Sequence, residues 1–544
     1  MCKNSAIVGG GTEIFRSGRK RLGMPFTTSN YILVTIRFRA TPSLFSDRAS
    51  GLRSEPRVLV HASMDVFVIA LYLVVLSILG LYGFHRGLLL YLYWKHRKDA
   101  PLPPARFEHL PSVTVQLPMY NEMYVAERLL EGVAGIDYPK QKLEIQVLDD
   151  STDETVEIAR RKADELRARG FDVSYRHREN RHGYKAGALE EGLRDAKGDY
   201  VLVFDADFVP TPSIVRDLIH FFTNPKVGMV QARWGHLNRD YSVLTRVQSM
   251  MLDGHFVIEH IARNRSGRFF NFNGTAGIWR RSTIIDAGGW QHDTLTEDMD
   301  LSFRAQLRGW EFVYVPTAIA PAEIPCEMNS FKGQQFRWAK GSAQTARKLI
   351  GTVLKADIPL KVKIECLFHL TNNFAYLFLV MLAALQLPNM LMRQKMDRPE
   401  LLLLDVPLFA STCLSIIVFY LTTHRALYGN LRDAIKRLPL MMALSIGLSI
   451  NNARAVLEGL FGVHSEFVRT PKHGIHRRDE RWISKRYKAA MGSLSTYLEL
   501  AFGLYFVFTI GLAIATGSWV NIPFLVLFMV GFLYVGALSL YQLR

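Results

Sequence analysis

Leu295-Thr-Glu-Asp298 places two adjacent carboxylates about 40 residues ahead of Gln334-Gln-Phe-Arg-Trp338. A carboxylate within hydrogen-bond reach of a hydroxyl can take its proton as the oxygen attacks another centre. Thr296-Glu297-Asp298 is therefore a candidate general base. The same residues also fit an ordinary helix start, with Thr296 as cap and acids in the first turn. The two readings are compatible, because a helix start also positions a base. Gln334-x-x-Arg337-Trp338 combines an amide, a planar cation and a large aromatic face. Arg can grip phosphate bidentately, and an indole can stack on an apolar ring face. Taken alone, the cluster also suits an interfacial helix anchored by Trp and Arg.

Two acidic clusters lie upstream. Asp205-Ala-Asp207 can offer two carboxylates to one divalent cation, and Mg²⁺ or Mn²⁺ prefers such oxygen ligands and bridges readily to phosphate. Asp-x-Asp is also a common solvated turn. In Asp149-Asp150-Ser-Thr-Asp153, Thr152 or Asp153 can cap a following helix. Asp149 and Asp150 are then free to hydrogen-bond a ribose or a base. In Pro118-Met-Tyr-Asn-Glu122, Tyr120 can stack on a base and Glu122 can accept hydrogen bonds. His182-Gly-Tyr-Lys-Ala-Gly187 puts Lys185 at a helix start, where a diphosphate would meet both its charge and the helix N-terminus.

An alternation of strands and helices must hold these groups. Strands are expected at Ser112–Leu117, Leu143–Leu148, Asp172–Tyr175 and Tyr200–Phe204. Helical spacing falls at 124–134, Asp153–Ala168 and Lys185–Ala196. Such a βαβ series predicts a largely parallel sheet covered by helices on both faces. Ligands bind at the carboxyl ends of such strands, and both acidic clusters follow strands directly.

The 544-residue chain is 49% hydrophobic, and the apolar residues are concentrated in particular stretches. Residues 66–94 are long enough for one tilted span. Tyr91, Tyr93 and Trp94 then suit an interface, and Lys95-His-Arg-Lys98 marks a cytoplasmic end. Further spans are expected at 371–392, 404–423, 496–515 and 521–541, with Phe331–Leu354 along the surface. Residues 464–490 carry eight Lys/Arg against three Asp/Glu and belong on the cytoplasmic side. A full span at 438–460 would put them on the other side, so an interfacial or re-entrant helix pair is expected there. Four cysteines without paired spacing argue against a disulfide framework or a zinc site. The formal charge of +17 fits basic loops beside an anionic leaflet and does not call for nucleic acid. Residues 1–63 hold ten Lys/Arg against three Asp/Glu with no sustained period. They read as a poorly structured basic extension, with Met64 as a candidate true start. The domain plan is thus 1–63, a transmembrane helix at 64–98, a soluble domain at 105–345, and a membrane region at 346–544 with about four spans.

In this order, the motifs resemble the inverting family 2 glycosyltransferases of GT-A fold, a Rossmann-like α/β domain inserted here between transmembrane helices. The match runs from about Ser112 to Lys340. Gln231-Ala-Arg-Trp234, Asn273-Gly-Thr-Ala-Gly277, Gly289-Trp-Gln-His292 and Phe467-Val-Arg-Thr-Pro-Lys472 resemble more narrowly the processive, cellulose-synthase-like A group and its bacterial relatives. That group includes glucomannan 4-β-mannosyltransferases. The resemblance implies Asp298 as catalytic base. It implies nucleotide-sugar contacts from Tyr120, Glu122, Asp149, Asp150, Lys185 and Asp205, and a metal, Mg²⁺ or Mn²⁺, on Asp205 and Asp207. It puts Glu297, Gln334, Arg337 and Trp338 at the acceptor. Phe467, Thr470 and Lys472 fall where cellulose synthases carry a gating loop, with Arg469 in place of an aliphatic residue.

The expected activity is hexose transfer from a nucleotide sugar, GDP-mannose or UDP-glucose, to a growing β-linked glycan. The implied setting is a bacterial cell membrane, with the catalytic domain cytoplasmic. The alternative is a non-processive enzyme that glucosylates a lipid such as diacylglycerol or ceramide. A transporter is disfavoured because the spans look few and free of buried charge. An inactive scaffold is disfavoured because the carboxylates are intact.

Overall fold

The structure is a computed structural model, and it describes residues 56–396, 402–463, 469–475, 479–487 and 494–543. Seven strands form one sheet: β1 (Val113–Met119), β2 (Leu143–Asp149), β3 (Asp172–His177), β4 (Tyr200–Val203), β5 (Val227–His236), β6 (Gly277–Arg280) and β7 (Glu311–Ala322). Their order is β3-β2-β1-β4-β6-β5-β7. Among these strands only β6 runs antiparallel to its neighbours; the remaining pairs are parallel. This is the mostly parallel α/β sheet expected.

The β-branched and aliphatic residues of β1 and β2 are buried almost throughout. Such strands need cover on both faces, which the connecting helices supply. Those helices are Ala126–Ala134, Thr155–Ala168 and Tyr184–Arg194. β1 lies between β2 and β4, so the winding reverses there. A reversal of that kind opens a crevice at the carboxyl ends of the strands.

The second half of the sheet is less apparent in the sequence. β6 has only four residues, and β7 contains Pro316 and Pro321. Proline removes a ladder donor and argues against a strand, but β7 is an edge strand, where proline is tolerated.

Among the described residues, five helices are long and apolar enough to cross a bilayer: Met64–His96, Leu360–Met396, Asp405–Tyr428, Leu494–Ala515 and Trp519–Tyr541. This makes the chain a multi-pass membrane protein. The first of them belongs to a helix that begins at Pro56; the expectations for residues 1–55 lie outside the described residues. Arg432–Gly447 and Ser449–Phe461 form a pair bent by 42°. Small residues let this pair approach the last helix. A Cβ built on Gly447 would lie 2.2 Å from the Gly531 carbonyl oxygen. The helix Met328–Lys355 packs closely on Ser449–Phe461.

The apolar helices are not free of buried charge, contrary to the expectation. Arg393 pairs with Asp405 at 2.7 Å, Lys332 with Glu499 at 2.8 Å, and His85 with Glu365 at 3.0 Å. In each case the partners sit on different helices, so the charge is offset locally and ties one helix to the next.

Candidate active site

One cavity opens at the crevice. Tyr120, Glu122, Asp150, Lys185, Asp205, Asp207, Glu297, Asp298, Gln334, Arg337, Trp338, Thr470 and Lys472 all line it. Thirteen sequence-derived candidates thus share one space. Asp149 does not line it. Its carboxylate is fully buried and accepts from the Tyr175 hydroxyl at 2.7 Å and the Ser151 amide at 2.9 Å. Phe467 lies outside the described residues.

The strand ends supply one wall. Asn121, at φ 53°, turns the chain after β1. It is tied to the end of β2 through its amide to Ser151 Oγ (2.8 Å) and through Thr152 N–H to its Oδ1 (2.8 Å). Asp150 is gripped by Arg178 from both oxygens, at 2.7 and 2.6 Å. Arg178 also holds the Tyr184 carbonyl at 3.0 Å, which fixes the start of the helix carrying Lys185.

Lys185 links the acidic groups. Its Nζ is 2.5 Å from Asp205 Oδ1, donates to the Gly274 carbonyl at 3.0 Å, and lies 3.9 Å from Glu297. Burial disfavours its charge, but Asp205, Glu297 and Asp298 overcome that and raise its pKa to about 12. Gly274, at φ +80°, brings the backbone close to Asp298: a Cβ there would be 3.1 Å from its Oδ2.

Asp298, the candidate base, sits in the first turn of the helix Glu297–Leu307. Thr296 does not cap that helix with its side chain; its hydroxyl instead meets Thr345 at 3.1 Å. Gln344 accepts from the Leu295 amide at 2.9 Å. The helix Met328–Lys355 therefore holds Thr296-Glu297-Asp298 in place while presenting Gln334, Arg337 and Trp338 to the same cavity. Burial, and then the neighbouring Glu297 charge, hold the Asp298 carboxyl well above the usual carboxylate range, with Lys185 pulling it back. Burial also lowers the Arg337 pKa to about 10, against Asp205 and Glu297.

The 469–475 segment closes the cavity from the outside. Lys472 donates to Asp207 at 2.6 Å, Arg337 donates to Thr470 Oγ1 at 2.6 Å, and Arg469 lies 3.1 Å from Glu122. Burial pushes Glu122 up to about 8 even with Arg469 and Lys472 beside it. Glu323 accepts from the His473 and Gly474 amides at 3.0 and 2.8 Å.

Glu323 is not among the sequence candidates, although it directly follows β7; a carboxylate after a strand is the signal that could have found it. Asn273 stands out in the sequence only as part of a longer motif. It lines the cavity, and its amide is pinned between two histidines, His260 at 2.5 Å and His255 at 2.9 Å. A second cavity shares Asp298, Asn273, Gln334 and Trp338 with the first and continues to Tyr376, Phe419 and Tyr420 on the apolar helices.

The arrangement can bind a diphosphate, offset its charge and take a proton beside it. Residues 111–341 match the model for "Glycosyltransferase like family 2". Glucomannan 4-beta-mannosyltransferase 9 of Arabidopsis thaliana is 32% identical over 470 residues, covering 84% of this chain and 85% of that protein. Glucomannan 4-beta-mannosyltransferase 7 of the same plant is 35% identical over 375 residues, covering 67% and 65%. Glucomannan 4-beta-mannosyltransferase 2 is 44% identical over 252 residues, where the match spans about half of each protein, 45% and 47%. A solved structure, the mannosyltransferase PcManGT from Pyrobaculum calidifontis in complex with GDP-Man and Mn²⁺, is 20% identical at a TM-score of 0.49, covering 72% of this chain and all of that one. The chain belongs to glycosyltransferase family 2, alongside the glucomannan 4-beta-mannosyltransferases, and its mostly parallel sheet is that of the GT-A fold.

Proposed function

We propose that the protein is an inverting, membrane-embedded mannosyltransferase that extends a β-linked glycan from GDP-mannose. The observation that carries this reading is Lys185, which faces Asp205 on one side and Glu297 and Asp298 on the other. A diphosphate bound by Lys185 puts the sugar it carries beside Asp298. The acceptor hydroxyl oxygen then attacks the anomeric carbon, its proton passes to Asp298, and the bond to the diphosphate oxygen breaks. Inversion of an α-linked donor yields a β-linkage. Lys185 and Arg337 stabilise charge on the leaving diphosphate, and preorganised donors of that kind carry much of the rate enhancement.

Asp205 and Asp207 each face a lysine, Lys185 and Lys472. Two carboxylates that both call for positive charge fit Mg²⁺ or Mn²⁺, which commonly uses one or two carboxylates plus phosphate oxygens. Among the described residues no group of three or more His, Cys, Asp or Glu side chains could hold a metal alone. A shared site of two carboxylates and the donor diphosphate is consistent with that. A divalent ion held by Asp205 and Asp207 would supply positive charge to offset the diphosphate.

Trp338 and the second cavity support a glycan acceptor. That cavity leads from the base to aromatic faces among the apolar helices, and such faces stack on sugar rings. The names of the relatives support mannose. The loop 479–487 packs on the catalytic domain through Tyr487 to Asp153 and Arg486 to Glu154. This supports a bent pair that stays on the catalytic side and a loop that shares the cytoplasm with that domain.

The test is incubation of purified membranes with radiolabelled GDP-mannose and UDP-glucose, followed by linkage analysis. Long β-linked mannose-containing product is expected. A single-sugar glycolipid on thin-layer chromatography would replace this reading with the lipid-acceptor one.

A further inference from the structure

The donor cavity has a nucleoside end and a diphosphate end. Lys185, Asp205 and Asp207 mark the diphosphate end. Tyr120 and Asp150, at the ends of β1 and β2, lie on the other half of the sheet, and Arg181 joins them from the loop after β3.

That loop is built, not merely exposed. Gly183 and Tyr184 both adopt positive φ, 70° and 50°. For Tyr184 this is a strained conformation that persists only when its surroundings impose it. They do so here: Arg178 donates to the His182 carbonyl at 3.3 Å and the Tyr184 carbonyl at 3.0 Å, and the Tyr184 amide bonds the Arg181 carbonyl at 2.8 Å. The turn sets Arg181 at one end and Lys185 at the other.

The Arg181 guanidinium lies over the Tyr120 ring, with Cζ 3.2 Å from the ring centroid. Its Nε is buried and has no hydrogen-bond partner. The carboxylates at and just after the end of β2 are already engaged. Asp150 receives Arg178, Asp149 receives Tyr175 and Ser151, and Asp153 receives the Thr155 amide and the Tyr487 hydroxyl. Glu122, also in the cavity, is offset by Arg469 at 3.1 Å, so the group left without a partner beside Tyr120 is a donor, Arg181 Nε. A base recognised here is recognised by its acceptors.

We propose that Arg181 is the specificity-determining residue for the donor nucleobase and that it selects guanine; this rests on the donor-site reading above. Guanine presents two adjacent acceptors, O6 and N7, that match the guanidinium fork. Adenine pairs N7 with an amino donor, cytosine presents an amino donor, and uracil offers a single acceptor on the corresponding edge. The base takes the Tyr120 face that the guanidinium now covers, and the guanidinium moves to the base edge.

The experiment is isothermal titration of the full-length protein in detergent with GDP, UDP and ADP, each with Mg²⁺. Wild type is expected to bind GDP at least about tenfold more tightly than UDP or ADP, the scale of one good bidentate pair. In Arg181→Ala, GDP affinity should fall about tenfold to the UDP level, while UDP affinity changes less than about threefold. Arg181→Lys keeps the charge without the fork and should lose the same preference; it decides the matter if the alanine variant fails to fold. Equal affinities in wild type, or parallel weakening of all three nucleotides in both variants, would overturn the inference alone. Failure of wild type to bind any nucleoside diphosphate would overturn the donor-site reading with it.

Discussion

Lys472 and Asp207 are 265 residues apart in the chain and 2.6 Å apart in space. The contact brings a segment from between the membrane helices onto the carboxylate best placed to hold a cation. Both side chains are largely buried, and Asp207 holds the Lys472 charge against a burial penalty. Removing one partner of such a pair leaves the other charge uncompensated unless something replaces it.

On the proposed reading, a divalent ion at Asp207 would displace Lys472, which would then be free to donate to the diphosphate. In Lys472→Met, Mn²⁺ affinity measured without nucleotide should rise several-fold. Affinity for the nucleoside diphosphate should fall about tenfold, because a buried charge-assisted hydrogen bond is lost. The two changes have opposite signs. Weaker binding of both ions in calorimetric titrations would show that the lysine does not exchange between carboxylate and diphosphate.

Asp298→Asn keeps the shape of the side chain and removes its basicity. Turnover should fall by about 10²–10⁴-fold, the usual share of a general base. Nucleotide affinity should stay within about threefold of wild type, since Lys185, Asp205 and Asp207 are left unchanged. A radiolabel transfer assay beside a binding titration separates the two quantities, and ordinary turnover in the variant would remove Asp298 from the mechanism.

The rate should also depend on pH through the same residue. Burial and Glu297 hold Asp298 above the usual carboxylate range. The base acts deprotonated, so kcat/KM should rise with pH through that raised value and fall away below it. Glu297→Gln removes a like charge, favours the ionised form of Asp298, and should move the acid limb to lower pH. A limb unmoved by Glu297→Gln would show that another group governs the profile.

The nucleotide half of the domain is legible in the sequence because β1 and β2 alternate aliphatic with polar residues, β4 is a short uninterrupted apolar run, and acids stand at or just after the ends of β2 and β4. Residues such as Asp150, Asp205 and Lys185 follow from strand ends and a helix start. Asp149 shows the limit of that reasoning. Spacing puts two aspartates after a strand, but strand alternation sends one side chain inward, here onto Tyr175. Glu323 and Arg181 escape for a different reason. Their roles depend on contacts with segments distant in the chain or on a side chain left without a partner, and neither property has a local pattern. The buried ion pairs of the apolar helices escape likewise, since a lone charge in an apolar run does not name its partner.

The helix that carries Trp338 meets the turn that carries Asp298 at a glycine. A Cβ on Gly341 would lie 2.6 Å from Thr296 Cγ2 and 2.9 Å from the Thr296 amide nitrogen. Gly341 stands between Trp338, which lines the cavity, and Gln344 and Thr345, which hold Leu295 and Thr296. In Gly341→Ala, Thr296 has to shift and carries Glu297 and Asp298 with it. Misplacement of a catalytic group by about 1 Å can cost about 100-fold, so kcat should fall roughly 10- to 100-fold. Nucleotide affinity should hold, because Tyr120, Asp150 and Lys185 sit on other elements. Alanine is otherwise favoured over glycine in a helix by about 1 kcal/mol. Gly351, in the same helix, has nothing within 4 Å of the place a methyl group would take. Gly351→Ala should therefore leave turnover intact and raise the melting temperature slightly. Equal losses of activity in the two variants would mean that helix flexibility, and not the contact with Thr296, is what Gly341 provides.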